Sequence, residues 1–160
     1  MTSTDLRYRN TRLRKLDDPE GPFTAIILAT AGLLRLNMAE RITCHLEAPS
    51  LYYAVGQGAL AIETRSNDPR VHDMVAQLID WETSWTVLAE REMLRVLEGG
   101  CSVPVGVWST FTAVEEGKKA HLKMDAVIAS LSGDRSINTS MEREINSAEE
   151  AEELGKDVAL

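Results

Sequence analysis

Hydrophobic positions recur along this chain with two different periods, and the change between them divides it. Thr11 to Leu16 is helix-compatible and is stopped by Asp17-Asp18-Pro19-Glu20-Gly21-Pro22, a loop by composition. Ala25-Ile26-Ile27-Leu28-Ala29 then has no polar alternation, so Phe23 to Thr30 is expected to be a fully buried strand. Ala31-Gly32 turns the chain into a short amphipathic helix through Leu33, Leu34, Leu36 and Met38. Ile42 to Leu46 reads as helical, with Cys44 an inert buried residue within it. Pro49 to Tyr53 is a connector and Gly56-Gln57-Gly58 a flexible turn. Ala59 to Arg65 is expected to be a second strand, with Leu60 and Ile62 opposite Ala61 and Glu63. Asn67-Asp68-Pro69 opens a helix through Val71, Met74, Val75 and Leu78.

Asp80 has the place of an N-cap for the next helix, which keeps Trp81, Trp85, Leu88, Ala89, Val96 and Leu97 near one face until Gly99-Gly100 ends it. Beyond Pro104 the period becomes two. Val105 to Val114, Ala120 to Ser130 and Arg135 to Ile145 read as strands, and the short turns between them predict antiparallel pairing. Ser147 caps a last helix from Ala148; no cap, Gly or Pro closes it at Leu160, so the natural chain is expected to be longer.

A buried strand feeding a helix marks an α/β unit, whose ligands sit at the carboxyl ends of strands, here Ala29 to Gly32. Two strands are too few for a stable sheet. The expected fold class is therefore an incomplete α/β segment followed, from about residue 80, by a small α+β domain with a three-stranded antiparallel sheet.

Composition narrows the function classes. The 160 residues are 44% hydrophobic and 26% charged, ordinary for a soluble globular protein. The longest apolar run, Ala25 to Ala31, is too short to cross a bilayer, and Met1-Thr2-Ser3-Thr4-Asp5 lacks a secretory start. Two cysteines make no disulfide framework, so a reducing, cytoplasmic setting is expected. A formal net charge of −8 argues against nucleic acid as partner. The charge is unevenly spread: Arg7, Arg9, Arg12, Arg14 and Lys15 form a basic head that could meet an anionic small molecule, while residues 142–157 read as an acidic, solvated helix face.

Few residues carry candidate chemistry. Cys101, in Leu97-Glu98-Gly99-Gly100-Cys101-Ser102-Val103-Pro104, follows two glycines that leave its sulfur uncrowded, and a thiol there can be a nucleophile or a covalent anchor. No CxxC or Cys–His spacing exists, so no metal site is expected. Gly56-Gln57-Gly58 is too short for a phosphate-cradling fingerprint, and no G-x-S-x-G elbow exists. His45, His72 and His121 sit in unrelated contexts. Glu90 and Glu92, with Arg91 and Arg95, read as surface ion pairing.

Several runs carry a resemblance. Asn10-Thr11-Arg12-Leu13-Arg14-Lys15-Leu16-Asp17, Ala25-Ile26-Ile27-Leu28-Ala29-Thr30-Ala31-Gly32-Leu33, Tyr53-Ala54-Val55-Gly56-Gln57-Gly58-Ala59-Leu60 and Leu97 to Pro104 resemble, in that order, motifs of the porphobilinogen deaminase (hydroxymethylbilane synthase) family. Trp81-Glu82-Thr83 followed by Leu88-Ala89-Glu90-Arg91 is similar too, and the likeness spans roughly residues 10 to 160. It implies a transferase of tetrapyrrole and heme biosynthesis that condenses four porphobilinogen molecules into hydroxymethylbilane with release of ammonia. It also implies a dipyrromethane cofactor joined through a thioether to Cys101. A covalent primer cannot diffuse away, and each addition upon it is effectively intramolecular. The pyrrole acetates and propionates call for arginine forks. Arg12 matches a family arginine that binds these carboxylates, Arg35 matches another position linked to the active-site cleft, Ala29 and Gly32 would approach the cofactor through backbone, and Gln57, on the crossing between the first two domains, would contact substrate.

By the same resemblance, residues 1–56 belong to a second, periplasmic-binding-protein-like α/β domain, residues 57–79 cross towards a first domain, and residues 80–160 form the C-terminal domain. Nearly all of the first domain is missing from this chain, and with it the family's catalytic aspartate, so no catalytic residue is retained. Leu6 stands where the family has a cofactor-binding arginine, with Arg7 and Arg9 nearby as substitutes. The expectation is a monomer acting on porphobilinogen and the growing polypyrrole, without nucleic acid or membrane, and inactive as this chain alone. The alternatives are a non-catalytic tetrapyrrole- or anion-binding derivative, or a truncated gene product.

Overall fold

A computed structural model describes residues 11–97, 104–115 and 118–160. The chain divides into two units, Met1–His45 and Leu46–Leu160, which are built in different ways.

In the first unit, residues 11–16 are helical (α1), and the Asp17 N–H donates to the Leu13 carbonyl at 2.9 Å to close the last turn. A second helix, α2, spans Thr30–Leu34. Asn37 ends the turn that follows by taking the left-handed conformation, φ 54°. This lets the Met38 N–H reach the Leu33 carbonyl and the Asn37 N–H the Leu34 carbonyl, both at 3.0 Å. The loop after α1 is tied to the short 3-10 turn Ala39–Arg41 by a two-pronged ion pair, in which Arg41 Nη1 donates to Asp17 Oδ2 at 3.3 Å and Nη2 to Oδ1. Leu13 and Leu33 are the buried apolar side chains among the described residues of this unit.

The second unit is built on three strands, β1 (Val105–Glu115), β2 (Lys119–Ala129) and β3 (Ser136–Ile145), antiparallel in the order β1-β2-β3. The register pairs Val107 with Ala126, Phe111 with Leu122 and Met124 with Met141. Alternation places Ala120, Leu122, Met124 and Ala126 on one face of β2, and all four are buried. That face is covered by α4 (Trp81–Val96) and α5 (Ala148–Val158), which bring in Ala89, Met93, Ala151, Leu154 and Val158. Both helices start on the caps expected of them. Asp80 accepts the Thr83 N–H at 2.8 Å and Ser147 the Glu150 N–H at 3.3 Å. Trp81, Trp85 and Phe111 form an edge-to-face group against the core, the Trp81–Trp85 and Trp81–Phe111 centroids each 5.1 Å apart. A further helix, α3 (Pro69–Ala76), is capped by Asp68 and contains no buried residue.

The structure corrects four expectations. Phe23 to Thr30 makes no strand, and neither does Ala59 to Arg65. Ile27 is 72% exposed and Leu60 92%. An extended segment becomes a strand only when a neighbour takes up its N–H and C=O groups, and neither segment has one among the described residues. Ile42 to Leu46 is not helical, because only Ala39–Arg41 turns and Ile42 already has the extended angles φ −83°, ψ 111°. Cys44 is consequently exposed rather than buried.

Candidate functional site

The polypeptide reaches the Gly56-Gln57-Gly58 turn along the edge of β1. Tyr53 and Val107 exchange both backbone hydrogen bonds, at 2.9 and 2.8 Å, and the Tyr53 ring lies against Trp108 with centroids 5.3 Å apart. The Tyr53 hydroxyl donates to the Leu46 carbonyl at 2.7 Å. Gly106 permits this approach, since a Cβ there would lie 2.6 Å from the Tyr52 Cβ. The turn itself needs its glycines, because Gly56 and Gly58 take φ 69° and 87°. Gln57 is held between them, its N–H donating to the Ala54 carbonyl at 2.9 Å.

Beside the turn lies a cleft of about 450 Å³ with Gln57, Glu82, Thr83, Thr86, Glu90 and Phe111 among its walls. Asp80, at the start of the helix that forms one wall, has its carboxyl held below the usual aspartate range by hydrogen bonding from Thr83. Glu90 is the residue that sequence reasoning misplaced. It is 8% exposed, and no ion pair to it is found among the described residues. Its Oε2 accepts the Gly56 N–H and its Oε1 the Ser109 hydroxyl, each at 2.7 Å. Glu92 does behave as expected, taking Arg95 Nε at 2.7 Å, and that hydrogen bond lowers its pKa. The signal for Glu90 lay in helix phase: it adjoins Ala89 and precedes Met93 by three residues, on the flank of the buried stripe.

The remaining expected site residues lie in the first unit. Arg12 is on α1 and exposed. Ala29 is the residue before α2, Gly32 is buried within it, and Arg35 is its exposed C-cap. The Gly32 N–H donates to the Ala29 carbonyl at 3.0 Å. Thr30 of α2 and His45 approach to 3.4 Å between Oγ1 and Nδ1. Ala29, Gly32 and Arg35 are thus gathered within and at the two ends of one short helix, while Arg12 stands on another. Cys101 lies outside the described residues, as do Arg7 and Arg9. Among the described residues no cluster of three or more His, Cys, Asp or Glu could hold a metal, and no helix is long and apolar enough to cross a membrane.

Comparison with known proteins covers almost the whole chain. Residues 84–160 match the family model for the porphobilinogen deaminase C-terminal domain, and residues 5–73 match that for the porphobilinogen deaminase dipyromethane cofactor binding domain. Among similar curated proteins, the porphobilinogen deaminase of Yarrowia lipolytica is 46% identical over 149 residues, which is 93% of this chain and 42% of the relative. That of Schizosaccharomyces pombe is 43% identical over 94% of this chain and 44% of the relative. That of Vesicomyosocius okutanii is 54% identical over 66% of this chain and 34% of the relative. The chain spans less than half the length of these relatives.

Proposed function

The chain belongs to the porphobilinogen deaminase family, and we propose that it supplies the cofactor-carrying part of a transferase that polymerises porphobilinogen into hydroxymethylbilane in the cytoplasm. The observation that carries this reading is the order of the two domain matches, the second of which contains an intact Leu97 to Pro104 run with Cys101 in it.

The residues present suit the implied group by the chemistry of their donors. A dipyrromethane bears acetate and propionate carboxylates, and the exposed guanidinium residues Arg12 and Arg35 offer the planar forks that bind carboxylates two-pronged. Ala29 is exposed at the start of α2, which leaves room for an approach through its backbone, whereas Gly32 is buried with its N–H bonded to the Ala29 carbonyl. Cys101 is the thioether anchor. When bound, the cofactor supplies a tethered primer for the growing polypyrrole. Arg12 and Arg35 hold carboxylates, and Gln57 offers an amide to the incoming substrate. The protein does this work as a monomer.

Residues 1–56 serve as the partial second domain, residues 57–79 as the crossing, and residues 80–160 as the C-terminal domain that bears the cysteine. In a longer protein, residues 23–30 would gain sheet neighbours within a periplasmic-binding-protein-like second domain, and residues 59–65 would gain theirs in the first domain. The exposure of Leu60, Ile62, Met74, Leu78 and Ile79 supports that reading, since so many apolar side chains on one crossing segment call for a cover. The 160-residue chain alone carries out no turnover, because the family's catalytic aspartate has no counterpart in it.

The test is the intact mass of the native protein from its own cells, with peptide mapping. A mass well above 17.7 kDa with a dipyrromethane increment on the Cys101 peptide is the expected result. A mass of 17.7 kDa with a free thiol would refute it and leave a non-catalytic binding protein. Bilane formation by the purified 160-residue chain would refute the claim of inactivity.

A further inference from the structure

We infer that Glu90 is a positioning residue, which fixes the Gly56-Gln57-Gly58 turn and so sets where the Gln57 side chain stands. The inference rests on the reading of Gln57 as a substrate contact and deepens it. Two observations at different places carry it. The carboxylate is buried in the middle of α4, yet the partners found for it are a peptide N–H and a hydroxyl rather than a cation. One of those donors is the first residue of the turn, 34 positions away in sequence, and the other is Ser109 of β1. Burying a carboxylate carries a large desolvation penalty, and a core position served by packing alone would favour an apolar side chain. A carboxylate has the two oxygens needed to hold a strand and a turn at once.

The arrangement also has a clear end point. Upstream of Gly56 the chain is fastened to β1 through Tyr53. Downstream of Gly58, residues 59–65 form neither helix nor strand and are mostly exposed. The N–H groups of Gln57 and Ala59 bond only within the turn, to the Ala54 and Gly56 carbonyls, so among the described residues the Gly56 N–H is the one that ties the turn to α4, through Glu90. Without it, the positive φ values of Gly56 and Gly58 would be one choice among several, since glycine populates both signs with little preference.

Amide hydrogen exchange of the full 160-residue chain, read residue by residue by NMR, tests this. In Glu90→Ala, exchange at Gly56 and Gln57 is expected to accelerate by roughly tenfold to a hundredfold, the loss of a hydrogen bond to a charged group. β2 and α5 should keep their protection. Glu90→Gln should restore the protected turn, because its amide oxygen can accept from Gly56 while its NH₂ donates to the Ser109 oxygen. Ser109→Ala should leave Gly56 exchange unchanged. Unchanged exchange at Gly56 in Glu90→Ala, or equal loss across the whole sheet, overturns the inference. A parallel titration with porphobilinogen follows the Gln57 side-chain amide signal. If that signal does not move in the wild type, the reading of Gln57 as a substrate contact fails, and the exchange data still decide the role of Glu90.

Discussion

Replacing Gly155 by Ala tests a close backbone contact between α4 and α5. Gly155 is buried in α5 and faces the backbone of Ala89 in α4. A Cβ at this position would fall inside the contact shell of the Ala89 carbonyl oxygen, 2.7 Å from its carbonyl carbon and 3.0 Å from its Cα. These are backbone atoms of a helix, so no side-chain rotation can relieve the overlap. The helices must separate by roughly 1 Å to restore ordinary contact distances. Separation loosens Met93, Ala151 and Leu154 at the centre of the core. Overpacking of this kind costs up to about 3 kcal/mol. Alanine returns about 1 kcal/mol in helix propensity. The net loss of about 2 kcal/mol should lower the midpoint of thermal unfolding by about 10 °C. The assay is thermal unfolding followed by near-ultraviolet circular dichroism, which reports the packing of Trp81 and Trp85. Gly133→Ala is the comparison, since nothing lies within 4 Å of its added Cβ and only its φ of 73° opposes the change. That variant should lose about 1 kcal/mol, with no change in the tryptophan signal of the folded state. A Gly155→Ala midpoint at or above that of the wild type would refute the close-contact argument.

Two further outcomes follow from local chemistry. The Asp80 carboxyl is held below its ordinary value of 3.8 by hydrogen bonding from Thr83, so its contribution to stability is complete above about that pH and is lost as pH falls through the lowered value. Asp80→Asn keeps a capping oxygen but removes this titration, so its unfolding midpoint should fall less steeply in acid than that of the wild type; parallel slopes between pH 5 and pH 2 would count against it. Cys44 is exposed, so a maleimide should label it in the native protein nearly as fast as in urea, with the site confirmed by peptide mapping. Protection of Cys44 until the chain unfolds would contradict the structure.

Much of the C-terminal unit could be read from residues close together in sequence. Asp80 caps a helix through Thr83, Asp68 through Val71 and Ser147 through Glu150, each bond spanning three residues. The period of two in β1 to β3 fixed which side chains of β2 face inward, and short turns fixed their antiparallel order. The run around Cys101 was recognisable as a motif, and the domain matches agree with it. Other features depend on distant partners. An apolar run such as Ala25 to Ala29 signals burial, yet a strand forms only where a neighbour completes its hydrogen bonds. Helix phase could mark Glu90 as lying on the flank of the buried stripe, but its partners Gly56 and Ser109 are far from it along the chain and no local pattern could reveal them. Gly155 likewise reads as an ordinary glycine in a helix until the backbone of Ala89 is seen against it. Periodicity, capping and turn chemistry act within a few residues and so are written in the sequence itself. Strand pairing, the burial of a charge and the approach of two helices depend on which distant atoms arrive, and only the folded chain decides that.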